Sequence, residues 1–303
     1  TTQYFREKSN RKKENEKRIR LYTAYLERKR EELGKLKEQQ RFVLSYHFPS
    51  FERLKYLTSY ISERIWERTI ESADFLSIRI GRANVPSSYE VAVGSEDQGN
   101  REMDELAEDF EQMVKVYKEV ENVPLTVDLS YGSVGFIGKH SIVSVEIEQI
   151  IGQIAFFHSY HDVRIVAIVN EEDYANWGWM RWLPHFQIPQ MFARGFIYNE
   201  QTRDQLLSTI YEIVRERELD EDKKKKRFLP HFLFIVTNRN LISEHMMLEY
   251  LEGNYTNLGI SAIFVADSKE NLSENIHTLV RYINEDEGDI LIQDKKAVNT
   301  PFQ

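Results

Sequence analysis

The sequence predicts an α/β protein of three layers with a mainly parallel sheet, preceded by helices. Three nearly continuous apolar runs, VRIVAIV from Val163, HFLFIVT from His231 and ISAIFVA from Ile260, are typical of strands that are buried on both faces. Amphipathic segments that predict helices alternate with these runs, as the crossovers of a parallel sheet require. The 303 residues, of which 41% are hydrophobic, suffice to bury one or two cores.

The beginning of the chain predicts a separate basic helical region, residues 1–70. Residues 9–40 contain no Pro, are rich in Glu, Lys, Arg and Leu, and place apolar residues three, four or seven apart, which is typical of a helix with a narrow apolar seam. A second helix is predicted from Ser50 to about Ile70. Pro49 stands between the two helices and favours an antiparallel hairpin over one long helix.

The remaining residues, 71–303, are predicted to form the α/β domain. Beyond the three apolar runs, strands are predicted at 74–81, 87–94, 124–129 and 132–138, and an edge strand is predicted at 289–294. Helices are predicted at 103–120, 144–158, 202–218 and 244–252. A loop followed by a helix is predicted at 267–280. Asn199 or Thr202 is the expected cap at the start of the helix that covers 202–218.

The net charge of −9 conceals an asymmetry along the chain. Residues 1–41 hold 14 Lys and Arg against 7 Asp and Glu, whereas the remainder holds 26 against 42. A basic arm on an acidic body predicts that the arm meets an anionic surface, such as phospholipid headgroups; a solvated charged helix is the simpler alternative. The acidic body disfavours nucleic acid as a partner. The absence of Cys excludes disulfides and thiolate metal sites.

The stretch GFIGKHSIVSVE, residues 135–146, predicts a buried strand, a tight turn and the start of a helix. Such a turn binds phosphate when it reads Gly-x-x-x-x-Gly-Lys-Ser/Thr, because its backbone N–H groups wrap the phosphates, its lysine neutralises them and its hydroxyl binds magnesium. With Gly138 as the first glycine, Lys139 falls at the start of the loop. The positions of the second glycine, the lysine and the hydroxyl hold Val143, Ser144 and Val145.

An ATPase site also needs an acidic pair after a neighbouring strand, and this sequence does not have one at the corresponding position. After the strand HFLFIV, where an ATPase needs an acidic pair to hold magnesium and activate water, stand Thr237 and Asn238, which carry no negative charge. We therefore predict no catalytic residue and no cofactor-binding site in this chain. Weak nucleotide binding stays open, because the helix N-terminus at 141–145 favours an anion.

Two further groups of side chains are candidate sites. At least two of the rings of Trp177, Trp179 and Trp182 are expected to pack against the sheet edge, and any exposed ring is the candidate for contact with a partner. The histidines and the aspartate of HSYHD, residues 158–162, offer too few ligands for a metal site, so we predict no bound metal.

Several of these stretches together resemble one family. Over roughly residues 40–303, the chain is similar to the membrane-proximal domain of the EssC/EccC/YukB proteins, which are the FtsK/SpoIIIE-type ATPases of type VII secretion systems. The stretches that carry the similarity are DFLSIRIGRANVP, GFIGKHSIVSVE, WGWMRWLPH, PHFLFIV and NLGISAIFVA. The resemblance implies a P-loop-ATPase (Rossmann-like) fold with degenerate Walker A and Walker B motifs. It also implies that the basic helix is a stalk that follows transmembrane helices, at the cytoplasmic face of the bacterial membrane.

For function, the resemblance implies a domain without ATP hydrolysis in a membrane-anchored, hexameric motor that transports small helical WXG-type proteins. ATP and magnesium would then belong to three downstream ATPase domains of the same chain. The implied partners are those domains, the membrane complex and a ubiquitin-like domain of the EccD/YukD type. The alternative is a domain that still binds and slowly hydrolyses ATP as a regulator, and a third expectation, DNA translocation, is disfavoured by the acidic body.

Overall fold

The computed structural model describes residues 2–91, 105–188, 191–292 and 300–303. The helices are α1 (Thr2–His47), α2 (Phe51–Ser59), α3 (Glu105–Tyr117), α4 (His140–Phe157), α5 (Glu171–Trp177), α6 (Glu200–Leu219) and α7 (Met247–Glu252). The strands are β1 (Ser77–Pro86), β2 (Glu119–Asp128), β3 (Val134–Ile137), β4 (Val163–Ile168), β5 (Phe196–Ile197), β6 (His231–Val236), β7 (Ile260–Ala266), β8 (Thr278–Tyr282), β9 (Gly288–Ile292) and β10 (Thr300–Phe302).

The chain divides into two compact units, each formed by two separate stretches of the sequence. One unit comprises Thr1–His47 and Ala83–Pro124, and the other comprises Phe48–Arg82 and Leu125–Gln303. The division falls within β1 and β2, which together form a two-stranded sheet.

In the smaller unit, the second half of α1 packs against α3 and the strand that follows it. Leu26 of α1 is 1% exposed. The hydroxyl of Tyr117 donates to the carbonyl of Arg30 at 3.1 Å. Lys37 Nζ donates to the carbonyl of Val116 at 3.1 Å and pairs with Glu121 at 2.8 Å. Residues 6–21 of α1, by contrast, are exposed throughout.

The larger unit confirms the predicted mainly parallel sheet. Eight strands lie in the order β10-β9-β8-β3-β7-β6-β4-β5, and β8 through β5 in that order are parallel to one another. Every residue of β6 is buried, as its continuous apolar run predicts. Phe232, Phe234 and Val236 join one core with buried residues of α6 and α7. The alternate residues Leu233 and Ile235 face the opposite side and are equally buried, so both faces of the sheet are covered.

Each of the first two helices packs within its own unit, and the antiparallel hairpin stays a prediction. α1 packs with α3, whereas Leu54 and Leu57 of α2 form a small core with Phe156 and Phe157 at the end of α4. α2 is also shorter than the predicted helix to Ile70. Positive φ angles at Ile61 (55°) and Trp66 (62°) break the helical path.

The C-terminal part of the sheet also differs from the prediction. The segment 267–280 contains a short 3-10 turn at Lys269–Asn271 and then β8, instead of a helix, because β8 pairs in parallel with buried β3. β9 is present near the predicted 289–294, but β10 pairs outside it and takes the edge. The predicted strand at 87–94 is absent over Ser87–Val91, and its remaining residues lie outside the described ranges.

None of the helices in the described ranges is both long enough and apolar enough to cross a membrane.

Candidate functional site

The connection between β3 and α4 consists of Gly138 and Lys139 alone. A P-loop needs several residues there, so that successive N–H groups can surround the phosphates. Gly138 has a φ of +159°, and a Cβ at this position would lie 2.9 Å from the carbonyl oxygen of Tyr282 and 3.1 Å from Val143 Cγ2. The glycine is therefore required for close packing with Tyr282, and the connection is too short to wrap a ligand.

The residues at the Walker A positions belong to the body of α4. Val143 is completely buried, and its backbone N–H donates to the carbonyl of Lys139 at 3.0 Å, as in any helical turn. Ser144 Oγ lies 3.5 Å from His140 Nε2, one turn earlier on the same helix. Val145 is 53% exposed. None of the three offers a cation or a free hydroxyl at the end of β3.

The residues at the Walker B positions are tied into the backbone at the end of β6. The N–H groups of Thr237 and Asn238 both donate to the carbonyl of Ile168, at 2.9 and 3.2 Å. Thr237 Oγ1 donates to Asp173 Oδ2 at 2.8 Å. An acidic side chain thus does lie beside the Walker B position, although it comes from α5 and not from β6.

Asp173 was missed in the sequence, and local signals point only to its helix. Asn170 caps α5 by accepting from the N–H of Asp173 at 2.7 Å, a pattern that the letters NEED at 170–173 would have predicted. His140 Nε2 lies 3.0 Å from Asp173 Oδ1, outside hydrogen-bond geometry, and pairs with the carboxylate when the imidazole is protonated. Asp173 on α5 thus contacts Thr237, directly after β6, and lies beside His140 on α4. At 1% exposure its carboxylate does not present a base to a ligand.

An open cavity of about 630 Å³ lies at the carboxyl ends of β3, β7 and β8, where α/β proteins commonly bind ligands. Its charged lining residues are Lys139, Asp267 and Arg281. Arg281 is already paired with Asp289 across the β8–β9 ladder, with Nε 3.1 Å from Oδ1. Lys139 has no ion-pair partner among the described residues. One unpaired ammonium opposite a carboxylate can hold an anion only weakly.

The three tryptophans differ sharply in exposure. Trp177 is 1% exposed at the end of α5, whereas Trp179 is 53% exposed and Trp182 73% exposed. Trp177 is thus the one buried ring of the three, and the two exposed rings follow α5 in a short 3-10 helix, Gly178–Trp182. The guanidinium of Arg181 lies 5.2 Å from the centre of the Trp182 ring.

The two histidines of the stretch HSYHD, His158 and His161, lie in different environments. His158 is 1% exposed, and both its ring nitrogens are engaged: Nε2 accepts from the N–H of Leu76 at 3.1 Å, and Nδ1 donates to the carbonyl of Ile154 at 3.2 Å. His161 is exposed, with its ring centre 4.2 Å from that of Tyr160.

Comparison with known proteins supplies the context for these features. No family model matches the chain. The chain is 61% identical over all its 303 residues to the ESX secretion system protein EccC of Geobacillus thermodenitrificans and 59% identical to the ESX secretion system protein YukB of Bacillus subtilis, in each case covering 20% of the relative. It is 36% identical over 306 residues to the type VII secretion system protein EssC of Staphylococcus aureus, covering 99% of this chain and 21% of that protein.

Solved structures show a weaker likeness. ATPases 2 and 3 of EssC from Geobacillus thermodenitrificans align with a TM-score of 0.48 and 11% identity, over 79% of this chain and 46% of that one. The cytoplasmic domain of the type VII secretion ATPase EccC from Thermomonospora curvata aligns with a TM-score of 0.47 and 12% identity, over 61% of this chain and 25% of that one.

The sequence relatives match this chain from end to end, and it spans about one fifth of their length. The chain therefore belongs, over its full length, to the EssC/EccC/YukB family of type VII secretion proteins.

Proposed function

We propose that the chain is a catalytically silent, ATPase-like domain that couples the membrane complex of a type VII secretion motor to its downstream ATPase domains. The observation that carries this proposal is the two-residue connection between β3 and α4, which leaves no loop for phosphates. The tethered Thr237 and the buried Asp173 support it, because neither presents an exposed carboxylate at the end of β6, where an ATPase holds magnesium and water.

The alternative function is nucleotide-dependent regulation with slow hydrolysis. The cavity beside Lys139 favours it, since the first turn of α4 has no side-chain cap and its N–H groups attract anions.

Titration calorimetry with ATP and magnesium, beside a steady-state phosphate-release assay, separates the two functions. We expect neither a binding signal nor phosphate release above a buffer blank, because the two-residue connection cannot surround the phosphates and Val143, Ser144 and Val145 supply no cation at the Walker A positions. Binding without turnover that Lys139→Ala abolishes would replace the proposal by the regulatory function. Turnover by the purified chain would contradict the silent assignment outright.

The exposed start of α1 is the part that we propose to lie against the membrane. Residues 6–21 hold eight Lys and Arg against three Glu, and all of them are exposed. The acidic remainder of the chain makes the same contact unfavourable elsewhere. A position at the cytoplasmic face of the bacterial membrane, as part of a hexameric parent protein, agrees with this arrangement.

The triple variant Lys12→Gln, Lys13→Gln, Lys17→Gln tests the membrane contact. We expect its affinity for phosphatidylglycerol-containing vesicles to fall on the order of 100-fold in a flotation or sedimentation titration, since each basic residue near an anionic surface contributes roughly a factor of five to ten. The matched control, Lys224→Gln, Lys225→Gln, Lys269→Gln, makes the same change in net charge at other exposed positions. Equal losses in both triple variants would show that net charge, and not the arm, determines binding.

Other components of the secretion machine are the remaining proposed partners, including a ubiquitin-like domain of the EccD/YukD type. The exposed rings of Trp179 and Trp182 are the surface that we propose for such a contact.

A further inference from the structure

A second cavity, of about 350 Å³, shares Tyr282 with the cavity beside Gly138 and Lys139 and is strongly acidic. We call it the acidic cavity. Its charged lining residues are five carboxylates and one guanidinium: Glu52, Glu146, Glu285, Asp286, Glu287 and Arg79. All of them belong to the larger unit.

Hydrogen bonds from two side chains, those of Gln153 and Arg79, hold the wall of the acidic cavity in place. The side-chain amide of Gln153 on α4 accepts from the N–H of Arg79 at 2.8 Å and donates to the carbonyl of the same residue at 2.9 Å. The guanidinium of Arg79 donates to the carbonyl of Phe48 at 3.2 Å. Arg79, the one cation among the charged lining residues, therefore bonds to a backbone carbonyl, and its single positive charge stands against five carboxylates.

Glu146 is a half-buried carboxylate in the acidic cavity without a partner of opposite charge among the described residues. It is half-buried on α4, and within the described part of the chain it has neither an ion pair nor a hydrogen bond. Burial raises the pKa of its carboxyl group, as expected for a desolvated charge without compensation. Glu52, by comparison, is already paired with Lys55 at 2.8 Å.

Tyr282 supplies a second, independent sign of a missing partner. Its side chain is 7% exposed and lines the acidic cavity, and its hydroxyl is buried without a hydrogen-bond partner in the described residues. Burial, and then the charge of Glu146, raise the pKa of this hydroxyl well above its ordinary value, so it stays protonated. The ring is held between Phe136 and Phe302, with centroids at 5.9 and 5.5 Å. A buried hydroxyl normally has a partner.

We propose that the acidic cavity binds the guanidinium group of an arginine presented by a protein partner, with Glu146 as its counter-charge and the Tyr282 hydroxyl as its second polar contact. A guanidinium fits because it donates in a planar fork, which matches a carboxylate and leaves further N–H groups for a hydroxyl oxygen. The surrounding carboxylates of the β8–β9 turn add long-range attraction for a cationic segment. This site is independent of whether the chain binds nucleotide.

Fluorescence anisotropy with a labelled peptide of alternating Gly and Arg tests the proposal. We expect Glu146→Gln to weaken binding by about 10-fold or more, because it removes a charge-assisted hydrogen bond. Tyr282→Phe keeps the ring and should weaken binding several-fold. The matched control is Glu148→Gln, which makes the same charge change two residues along α4, outside the lining of the cavity. Thermal unfolding checks that each variant is folded.

Each other outcome would overturn the proposal. Equal weakening by Glu146→Gln and Glu148→Gln would reduce the binding to general attraction by an acidic surface. Unchanged binding by Tyr282→Phe would remove the hydroxyl contact. A Gly–Lys peptide that binds as tightly as the Gly–Arg peptide would exclude guanidinium recognition, and no binding by the unaltered chain would exclude the site.

Discussion

Replacing Trp177 by Ala is expected to lower the free energy of unfolding by about 3–5 kcal/mol, whereas replacing Trp182 by Ala should change it by less than about 0.5 kcal/mol. The two residues are five positions apart in one short segment, but Trp177 is 1% exposed and Trp182 is 73% exposed. Truncation of a buried indole removes its transfer free energy and leaves a cavity. Truncation of an exposed indole removes little contact with the protein.

Urea unfolding followed by far-UV circular dichroism is the suitable measurement, because fluorescence itself changes when a Trp is removed. Trp179→Ala, at 53% exposure, serves as the intermediate control. A loss of several kcal/mol in Trp182→Ala would contradict the arrangement, since it would mean that this ring is packed. If Trp182→Ala is as stable as expected, it is also the right variant for testing partner contact, because lost binding could not be attributed to unfolding.

Sequence patterns predicted those parts of the fold that local composition determines. The continuous apolar runs identified β4, β6 and β7, because strands buried on both faces have few other compositions. The start of α6 was also predictable: Asn199 accepts from the N–H of Thr202, and the Thr202 hydroxyl accepts from the N–H of Asn199, which together form a capping box.

Features that depend on distant partners were not predictable in the same way. β8 is a strand because it lies beside β3, and its own sequence does not distinguish it from a helix. The contact of Asp173 with Thr237 joins residues that are 64 positions apart. The same holds for the three tryptophans, whose spacing matches neither a helical face nor a strand face, so the path of the turn decides which ring is buried.

The stability of the chain is expected to fall when the pH is lowered from 7.5 to 5.0, because His158, His185 and His231 are buried and burial lowers the pKa of each. Burial, with the nearby charge of Arg68, lowers the pKa of His158 to about 3. Burial, with the charge of Arg217, likewise lowers the pKa of His231 to about 3. The rings of His158 and His231 contact the ring of Phe75 edge to face, with centroids at 5.2 and 6.1 Å.

The hydrogen bonds explain why neither ring accepts a further proton in the folded chain. His158 Nε2 accepts from the N–H of Leu76, and a proton on that nitrogen would place two donors against each other. Ser261 Oγ donates to the carbonyl of Leu129, so it accepts from His231 Nε2 at 2.8 Å. That leaves only the other ring nitrogen of His231 for a second proton, in a fully buried environment.

The sign of the effect follows, for His158 and His231, from the pKa of each in the folded and in the unfolded chain. The unfolded chain binds a proton at each imidazole below about pH 6.5, whereas the folded chain does not until about pH 3, so acid favours unfolding throughout that interval. At about 1.4 kcal/mol for each pH unit, the loss between pH 6.5 and 5.0 is about 2 kcal/mol for each of these two histidines, or about 4 kcal/mol together. Carboxyl groups with ordinary pKa values remain largely ionised at pH 5, whereas the raised pKa of Glu146 acts in the opposite direction, because the folded chain binds that proton more readily than the unfolded chain.

Urea titrations at pH 7.5 and 5.0 measure this loss directly, and single variants assign it. His158→Gln and His231→Gln are expected to be less stable at pH 7.5, but each should lose about 2 kcal/mol less on acidification than the unaltered chain, because one titrating group is gone. His161→Gln, at an exposed position, should leave the pH dependence unchanged. If both buried variants kept the full pH dependence, the proton uptake that unfolds the chain would have to occur at other groups.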